Sequence, residues 1–257
     1  MIKIWKSERF KKIMELISVQ NVVSIEDLCK VLNVSKATIR RDITELDKVG
    51  KLTKTHGGAV SFEFGTSKEP PFLLKKDYNV QEKIRIAEAA YKSIKPGETI
   101  ILDSSTTILE LANHLVNAKN LMIVTNDLLI ATKLASNTAL DVLVIGGELR
   151  KQYYTMIGLF SQMVLKEIHA DKVFLGVDGV DLESGFMLYN IEESQVKKLM
   201  IESAKELIVL CDHTKFSNIA LVNICPLERA KKIITGSEID KKIVEKLKNL
   251  NINVEIV

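Results

Sequence analysis

The chain has 257 residues, of which 46% are hydrophobic and 27% charged, a composition that excludes a disordered or fibrous protein and leaves room for two globular domains. Its three cysteines are widely separated and form no C-x-x-C pair, so neither a zinc site nor a disulfide framework is predicted. The N-terminus lacks the apolar run of a signal peptide, and no apolar stretch has the length of a membrane span. These features predict a soluble, cytoplasmic protein with no membrane partner.

The charge is unevenly distributed along the chain. Residues 1–60 contain 12 Lys and Arg against 7 Asp and Glu, a net charge of +5. Residues 61–257 contain 24 against 26, a net charge of −2. A small basic part joined to a larger, nearly neutral part is typical of a protein that binds nucleic acid at one end, although many ordinary surfaces carry a similar excess.

The first half of the basic part predicts two helices. Apolar periodicity predicts a helix over residues 9–18, with Ser7 as its N-cap. A second helix, I-E-D-L-C-K-V-L, follows Ser24, and Asp27 stands three residues on, where a capping box has its acidic residue. The side chains expected to face the core of this helix are Leu28, Val31 and Leu32.

A third helix begins after Ser35 and has two chemically different faces. At about 100° per residue, Ile39, Ile43 and Leu46 fall together and form a buried stripe. Arg40 and Arg41 project away from that stripe. Two helices joined by a short turn, the second with a cationic outer face, predict a helix-turn-helix whose second helix enters the major groove of DNA.

The stretch K-L-T-K-T-H-G-G-A-V after the third helix predicts a β-hairpin that turns at Gly57-Gly58. Such a hairpin would be a wing, with Lys51, Lys54 and His56 near DNA phosphates. Taken singly, each of these basic residues also fits an ordinary solvated position. The order of helix, capped helix, turn, basic helix and hairpin is what favours DNA binding.

Residues 61–80 show no clear periodicity, and Pro70-Pro71 interrupts any continuous helix. The predicted organisation is therefore a winged helix-turn-helix domain over 1–60, a linker over 61–80 and a second domain over 81–257. In the second domain helices alternate with short apolar strands. This alternation predicts an α/β domain with a mostly parallel sheet covered on both faces.

Parallel sheets of this kind bind ligands outside the carboxyl ends of their strands. The first strand is followed by D-S-S-T-T, residues 103–107, which opens a helix whose unpaired amides attract anions. One hydroxyl would suffice as an N-cap, so a run of four favours a phosphate site. Other strand ends carry Asn126, Gly147, Asp178 and Lys215, which we expect to converge at one edge, although lone glycines usually mark turns and lone lysines usually face solvent.

The motif S-K-A-T-I-R-R-D with the later T-H-G-G-A-V resembles the DNA-binding head of the DeoR (deoxyribose-operon repressor) family. Helix geometry favours Arg41 for a contact with a base edge, and Ser35 and Lys36 for contacts with the DNA backbone. The resemblance, the outer face of the third helix and the wing together give the candidate DNA contacts: Ser35, Lys36, Thr38, Arg40, Arg41, Thr44, Lys54 and His56.

The second domain is similar to the sensor domain of the same family through E-K-I-R-I-A-E-A-A, D-S-S-T-T, T-N, G-G-E-L-R, A-D-K-V-F-L-G-V-D-G-V and C-D-H-T-K-F, in that order. The resemblance implies a fold related to ribose-5-phosphate isomerase and a phosphorylated sugar or sugar derivative as effector. The candidate effector-binding residues are Asp103, Ser104, Ser105, Thr106, Thr107, Asn126, Gly147, Asp178, Lys197 and Lys215.

The expected function is a transcriptional regulator, a repressor of sugar-metabolism genes, that binds double-stranded operator DNA as a homodimer or tetramer. No cofactor, metal or catalytic residue is predicted. One rival is an active isomerase with Glu192, Glu193 or Asp178 as base, but S-G-F-M-L-Y-N-I replaces the glycine-rich loop of such enzymes. The other is an architectural DNA-binding protein whose second domain has no ligand.

Overall fold

A computed structural model describes residues 5–20, 22–48, 51–55, 57–61, 66 and 69–257. The chain divides into two compact units, Met1–Pro70 and Pro71–Val257. The division falls inside the segment 61–80, which the sequence predicts as a linker. None of the helices in the described ranges combines the length and the apolar character that crossing a membrane requires.

The described residues of the N-terminal unit form three helices and a three-stranded antiparallel sheet. The sheet has the order β1-β3-β2, so the predicted wing gains a third strand from the segment before the second helix. Three residues were too few to reveal that strand in the sequence. The elements are α1 (Lys6–Gln20), β1 (Val22–Ser24), α2 (Ile25–Leu32), α3 (Lys36–Lys48), β2 (Leu52–Lys54) and β3 (Gly58–Ser61).

The predicted cap of the second helix is confirmed. The backbone N–H of Asp27 donates to Ser24 Oγ at 2.9 Å, and the Ser24 hydroxyl in turn donates to the Asp27 carboxylate at 2.7 Å. Ser7 as N-cap is wrong, because α1 begins at Lys6 and already includes it. Val31 as a core residue is also wrong: its side chain is 59% exposed, because the buried stripe of this short helix runs through Leu28 and Leu32 on another side.

One buried ion pair joins α1 to α3 beneath the cationic face. Arg9 Nε lies 2.6 Å from Asp42 Oδ2, and Arg9 Nη2 lies 2.9 Å from Asp42 Oδ1. The Asp42 side chain is almost fully buried, and this bidentate geometry suits a guanidinium and a carboxylate. The hydrogen bond to Asp42 raises the pKa of Arg9. Because Asp42 follows Arg41 in the helix, the pair also fixes which side of α3 faces outward.

Replacing Arg9 tests how much this buried ion pair stabilises the N-terminal unit. Arg9→Met leaves the buried Asp42 carboxylate without its partner, so the stability of the N-terminal unit should fall by about 1–3 kcal/mol. Amide hydrogen exchange in α1 and α3 measures the loss. Lys6→Met is the matched control, because it removes an exposed ion pair between the same two helices, Lys6 to Glu45 at 2.6 Å. Equal effects of the two substitutions would contradict a special role for Arg9.

The C-terminal unit is an α/β domain. Its elements, in chain order, are α4 (Phe72–Asp77), α5 (Val80–Tyr91), β4 (Thr99–Leu102), α6 (Thr106–Leu115), β5 (Leu121–Thr125), α7 (Leu128–Leu134), β6 (Leu140–Val144), β7 (Glu148–Arg150), β8 (Thr155–Ile157), α8 (Leu159–Lys166), β9 (Ala170–Gly176), β10 (Gly179–Asp181), β11 (Gly185–Leu188), α9 (Ile191–Glu202), β12 (Ala204–Leu210), a 3-10 turn (His213–Ser217), β13 (Val222–Cys225), a 3-10 turn (Leu227–Arg229), β14 (Ala230–Thr235), α10 (Lys241–Asn249) and β15 (Val254–Ile256).

The main sheet has seven strands in the order β15-β14-β12-β9-β4-β5-β6, and every pairing in it is parallel. This confirms the predicted α/β class. Two apolar clusters lie on its two faces, one with residues from α8 and α9 and the other with residues from α5, α6 and α7. Small antiparallel sheets, β10-β11-β13 and β7-β8, complete the domain.

The predicted linker is helical in part. Phe72–Asp77 forms α4, and Phe72 is buried in the same cluster as Ile86 and Ile108. Pro71 stands directly before the first helical turn, where a missing backbone N–H costs nothing. The prolines therefore start a helix here, and the segment from Pro71 onward belongs to the C-terminal unit.

Candidate DNA-contact surface and effector site

The outer face of α3 carries exposed cationic side chains, as the sequence predicts. Arg40 and Arg41 line an open groove together with Thr44, Glu45 and Lys48. Both arginines are exposed, while Ile39 and Ile43 on the opposite side are buried. Guanidinium groups in this position suit the acceptor edge of guanine and the oxygens of phosphate.

The start of α3 holds three further candidates, two of which bond to each other while the third bonds to α2. The backbone N–H of Thr38 donates to Ser35 Oγ at 3.2 Å, and the two hydroxyl oxygens lie 3.0 Å apart. Lys36 Nζ lies 2.7 Å from Glu26 Oε1, and this bond lowers the pKa of Glu26. The pair is exposed and therefore weak, so a DNA phosphate would have only Glu26 to displace.

The wing contributes Lys54 to the same surface. Lys54 Nζ donates to Thr44 Oγ1 at 2.8 Å, and that hydroxyl donates to the Arg40 carbonyl at 2.7 Å. The backbone N–H of Lys54 also donates to Asp47 Oδ1 at 2.9 Å. Three of the predicted contacts, one on the wing and two on α3, are therefore neighbours. His56, the other wing candidate, lies outside the described residues.

In the C-terminal unit, the order of the strands marks one place for a ligand. The strands that directly follow β4, which are β5 and β6, lie on one side of it, and β9 and the strands after it lie on the other. Such a reversal leaves a crevice at the carboxyl ends of the two strands that flank it, here β4 and β9. Leu102 pairs with Phe174, and just beyond this pair a hydrogen bond joins Gly176 to Asp103.

A buried ion pair occupies the floor of this crevice. Asp103 Oδ2 accepts from Lys197 Nζ at 2.8 Å and from the Gly176 N–H at 2.9 Å. Lys197 also donates to the Gly176 carbonyl at 2.9 Å and lies 3.3 Å from Glu193, one turn away on α9. Arg150 closes the chain of charges, with Nη1 2.6 Å from Glu193 Oε2.

Burial and the neighbouring charges shift the pKa values of Asp103 and Lys197 in opposite directions. Burial raises the pKa of Asp103, while the charge and hydrogen bond of Lys197 oppose that rise. Burial lowers the pKa of Lys197, but the charges of Asp103 and Glu193 outweigh it and raise that pKa overall. At 2.8 Å with a fully buried carboxylate, the pair is best described as an ion pair that holds α9 against the end of β4.

A second group of charges surrounds Asp178. Lys75 Nζ lies 3.1 Å from Asp178 Oδ1, and the charges of Lys75, Lys215 and Lys197 hold the pKa of Asp178 at about 2 although burial raises it. Lys83 lies nearby, with Nζ donating to the carbonyls of Lys75 and Tyr78. Burial, reinforced by the charges of Lys215 and Lys75, lowers the pKa of Lys83 to about 8. Burial is the larger cause, and the neighbouring lysines add positive charge that favours an anion.

The polar residues that follow β4 provide a helix cap, one spare hydroxyl and one spare carboxylate oxygen. Ser105 Oγ accepts the Ile108 N–H at 3.1 Å and is the N-cap of α6. Ser104 Oγ and Asp103 Oδ1 are buried and have no hydrogen-bond partner among the described residues. A buried polar atom without a partner costs about 1–3 kcal/mol, so a ligand that supplied the missing bonds would recover that energy. Thr106 and Thr107 follow as buried residues in the first turn of α6.

Glycine is required beside this loop. A Cβ at Gly176 would lie 2.3 Å from Ser105 Cβ, so only glycine lets β9 pass so close to the loop. At position 147 glycine is required for a different reason. A Cβ on Gly147 would lie 2.3 Å from the Ile157 carbonyl oxygen, because β8 and the loop before β7 pack closely here. The role of Gly147 in ligand binding stays a prediction.

Asn126 lies at the end of β5, next to β4. Its Nδ2 donates to Thr155 Oγ1 at 2.9 Å and to the Met156 carbonyl at 2.8 Å, while its buried Oδ1 lacks a partner within the described part of the chain. The amide is thus held by β8 with its acceptor unused. Asp127 follows as the N-cap of α7, and burial raises its pKa to about 6.

The carboxyl ends of four adjacent strands therefore bring most of the predicted residues to one edge. Sequence reasoning missed the contributions of Lys75, Lys83 and Arg150, and it considered Glu193 only as a possible base. The spacing of Glu193 and Lys197 on one helix face was a usable indication. Lys75 gave none, because it lies in a segment without visible periodicity.

Among the residues that the structure describes, one group of side chains has donor atoms close enough to hold a metal ion. Ligand atoms of Glu82, Asp212 and His213 all lie within 4.8 Å of one another. Both Glu82 oxygens already accept from His213, one from its backbone N–H and one from Nδ1, each at 2.7 Å, and Asp212 Oδ1 accepts the Thr214 N–H at 3.0 Å. The hydrogen bond to Glu82 raises the pKa of His213. These bonds satisfy the group without a cation.

The two units match two family models. Residues 9–64 match the DeoR-like helix-turn-helix domain, and residues 78–237 match the DeoR C terminal sensor domain. The chain belongs to the DeoR family. It is 33% identical over 249 residues to the HTH-type transcriptional regulator GolR of Listeria innocua, which covers 97% of this chain and 98% of that protein.

Other relatives of this DeoR-family chain extend over similar lengths. It is 30% identical over 251 residues to the glycerol-3-phosphate regulon repressor of Escherichia coli, covering 98% of this chain and 99% of that protein. Ribose 5-phosphate isomerase A from Methanocaldococcus jannaschii is a solved structure with a TM-score of 0.40 and 19% identity, covering 54% of this chain and 55% of that one. A similarity of that degree carries no argument about the activity of the chain.

Breaking the buried ion pair should destabilise the C-terminal unit. Lys197→Met leaves the Asp103 carboxylate buried and uncompensated, which should cost about 3–5 kcal/mol. Differential scanning calorimetry measures the loss. Lys205→Met is the matched control, because it removes a lysine from an exposed pair with Asp171 at 2.8 Å and should change the melting temperature little. A Lys197→Met variant that is as stable as the wild type would contradict the assignment of an ion pair.

Proposed function

We propose that this transcriptional regulator represses genes of sugar metabolism and is controlled by a phosphorylated sugar or sugar derivative. Operator DNA would bind α3 and the wing, and the effector would bind the crevice between β4 and β9. The observation that carries the proposal is that two buried atoms before α6, Ser104 Oγ and Asp103 Oδ1, have no hydrogen-bond partner within the described ranges. The name of the Escherichia coli relative, a repressor of a glycerol-3-phosphate regulon, points to the same class of effector.

The chemistry of the crevice supports both ends of such a ligand. The free amides of the first turn of α6, the Ser104 hydroxyl and the lysines around Asp178 suit a phosphate. The free acceptors, Asp103 Oδ1 and Asn126 Oδ1, suit the hydroxyl groups of a sugar. Effector control then requires only that the ligand bind two arrangements of the regulator with different affinity.

We also propose that the crevice binds without catalysis. A base that moves a proton beside a carbonyl must be free to accept it. Glu193 is held by Arg150 and Lys197, and Asp178, with a pKa of about 2, is a weak base at neutral pH. An assay for interconversion of ribose 5-phosphate and ribulose 5-phosphate tests this: turnover that Glu193→Gln abolishes would overturn the proposal.

A regulator of this kind acts on operators with two half-sites, so the proposed active species is at least a homodimer. It would work in the cytoplasm, where it meets both operator and effector.

The role of Arg41 can be measured on DNA. Arg41→Ala should weaken binding to a duplex selected from a random library by about 1–3 kcal/mol and reduce the preference for it over bulk DNA, because a contact with a base edge is lost. Fluorescence anisotropy at fixed salt gives both affinities. Lys30→Ala, at an exposed position on α2, is the control and should leave the preference unchanged. Equal loss on both DNAs would mean that Arg41 contacts phosphate only.

Substitution of two neighbouring serines tests whether the crevice binds the effector. Ser104→Ala removes a buried hydroxyl that has no partner among the described residues, so the melting temperature of the free protein should rise or stay the same, while the rise caused by a phosphosugar shrinks. Ser105→Ala removes the cap of α6 and should cost the free protein about 1 kcal/mol. A thermal-shift panel of sugar phosphates, with the unphosphorylated sugars alongside, measures both effects. If no phosphosugar raises the melting temperature at millimolar concentration, the effector site is refuted.

A further inference from the structure

Two buried acceptor atoms lie at the ends of the neighbouring strands β4 and β5. The last residue pair of these two strands directly precedes Asp103 and Asn126. Side chains alternate along a strand, and Ile101 and Val124, two residues earlier, both belong to the apolar cluster on the α9 face of the sheet. Asp103 and Asn126 therefore share that face. The Oδ1 atoms of both residues are buried and have no hydrogen-bond partner in the described part of the chain.

The Asn126 amide has one orientation that fits its neighbours. Its Nδ2 donates to Thr155 Oγ1 at 2.9 Å and to the Met156 carbonyl at 2.8 Å. A carbonyl oxygen accepts and never donates, so turning the amide over would place Oδ1 against another acceptor. Asn126 Oδ1 therefore faces away from β8 and is offered to a donor.

The strand that holds this amide is itself attached to α9. Thr155 is the cross-strand partner of Arg150 in the β7–β8 hairpin, and Arg150 Nη1 lies 2.6 Å from Glu193 Oε2 on α9. The same helix carries Lys197, which donates to the other oxygen of Asp103, Oδ2, at 2.8 Å. The hairpin and the helix thus fix both acceptors before a ligand arrives, and a preorganised site loses little conformational entropy on binding.

An acceptor must be met by a donor, so these two oxygens define which groups of a ligand fit beside them. A hydroxyl group donates, a ketone oxygen only accepts, and a deoxy carbon does neither. Adjacent strands are about 4.8 Å apart, and two hydroxyls on neighbouring carbons, each making a hydrogen bond of about 2.7 Å, bridge such a distance. Leaving one buried acceptor without its donor weakens binding by roughly ten- to a hundredfold.

We infer that Asp103 Oδ1 and Asn126 Oδ1 form a diol-reading subsite, which selects phosphorylated polyols or sugars with two neighbouring hydroxyl groups over their keto and deoxy analogues. Thr155 is its positioning residue, because it holds the Asn126 amide with its acceptor toward the ligand. The inference rests on the proposed function and deepens it. Ser104 and the lysines around Asp178 recognise a phosphate, which all these compounds share, whereas the subsite distinguishes one phosphate from another.

Isothermal titration of the full-length protein with matched pairs of phosphates tests the inference. The pairs are glycerol 3-phosphate with dihydroxyacetone phosphate, ribose 5-phosphate with 2-deoxyribose 5-phosphate, and glucose 6-phosphate with 2-deoxyglucose 6-phosphate. The phosphate is constant within each pair, and one hydroxyl is replaced. In every pair that binds, the fully hydroxylated member should bind roughly ten- to a hundredfold more tightly.

Two variants locate the preference. Thr155→Val keeps the shape of the side chain but removes an acceptor from Asn126 Nδ2, and Asn126→Ala removes the amide. In each variant the ratio of the two affinities should fall toward one. A partly unfolded variant loses affinity for both members alike, so the ratio separates positioning from stability. Thr132→Val is the matched control and should keep the wild-type ratio, because Thr132 Oγ1 donates to the Leu128 carbonyl at 2.6 Å on the exposed side of α7.

Equal affinity for both members of the pairs that bind would overturn the inference and leave the proposed function standing. A wild-type ratio in both Thr155→Val and Asn126→Ala, or an equal loss of the ratio in Thr132→Val, would have the same meaning. If no phosphate of the panel binds at millimolar concentration, the proposed effector site fails, and the subsite fails with it.

Discussion

The ion pair between Asp103 and Lys197 is the interaction on which the C-terminal unit depends. Two buried charges are stable only when they are close and their remaining hydrogen bonds are made. Here the second requirement is met from one side only: Asp103 Oδ2 is bonded to Lys197 and to Gly176, whereas Asp103 Oδ1 is not bonded to any described residue. The same carboxylate therefore holds β4, β9 and α9 together and keeps one acceptor toward the crevice. If the crevice binds the proposed effector, this one side chain serves both stability and ligand binding.

The N-terminal unit uses the same kind of interaction for a different purpose. Arg9 and Asp42 join α1 to α3 beneath the surface on which Arg40 and Arg41 are displayed. The buried pair helps to orient α3, and Arg40 and Arg41 are exposed on its outer side. In both units, then, a buried ion pair lies next to the residues that we propose bind a ligand.

The sequence predicted what local patterns control. The cap at Ser24, the buried stripe of Ile39, Ile43 and Leu46, and the alternation of apolar strands with helices depend on neighbours in the chain, and all were visible. The sequence did not reveal the pairing of β1 with β3 or the helix over Phe72–Asp77. A three-residue strand and a six-residue helix gain their stability from contacts that are distant in the chain. The ion pairs of Arg150 and Lys75 were not predicted for the same reason, since nothing near these residues in the sequence indicates the carboxylates that they contact.

The position of Lys75 in the chain has a mechanical consequence. Lys75 is paired with Asp178 inside the crevice, yet the division between the two units falls only a few residues before it, between Pro70 and Pro71. Lys75 therefore belongs to α4, the first helix of the C-terminal unit after that division. An anion that drew Lys75 away from Asp178 would act on the helix of this unit that lies nearest in the chain to the DNA-binding unit.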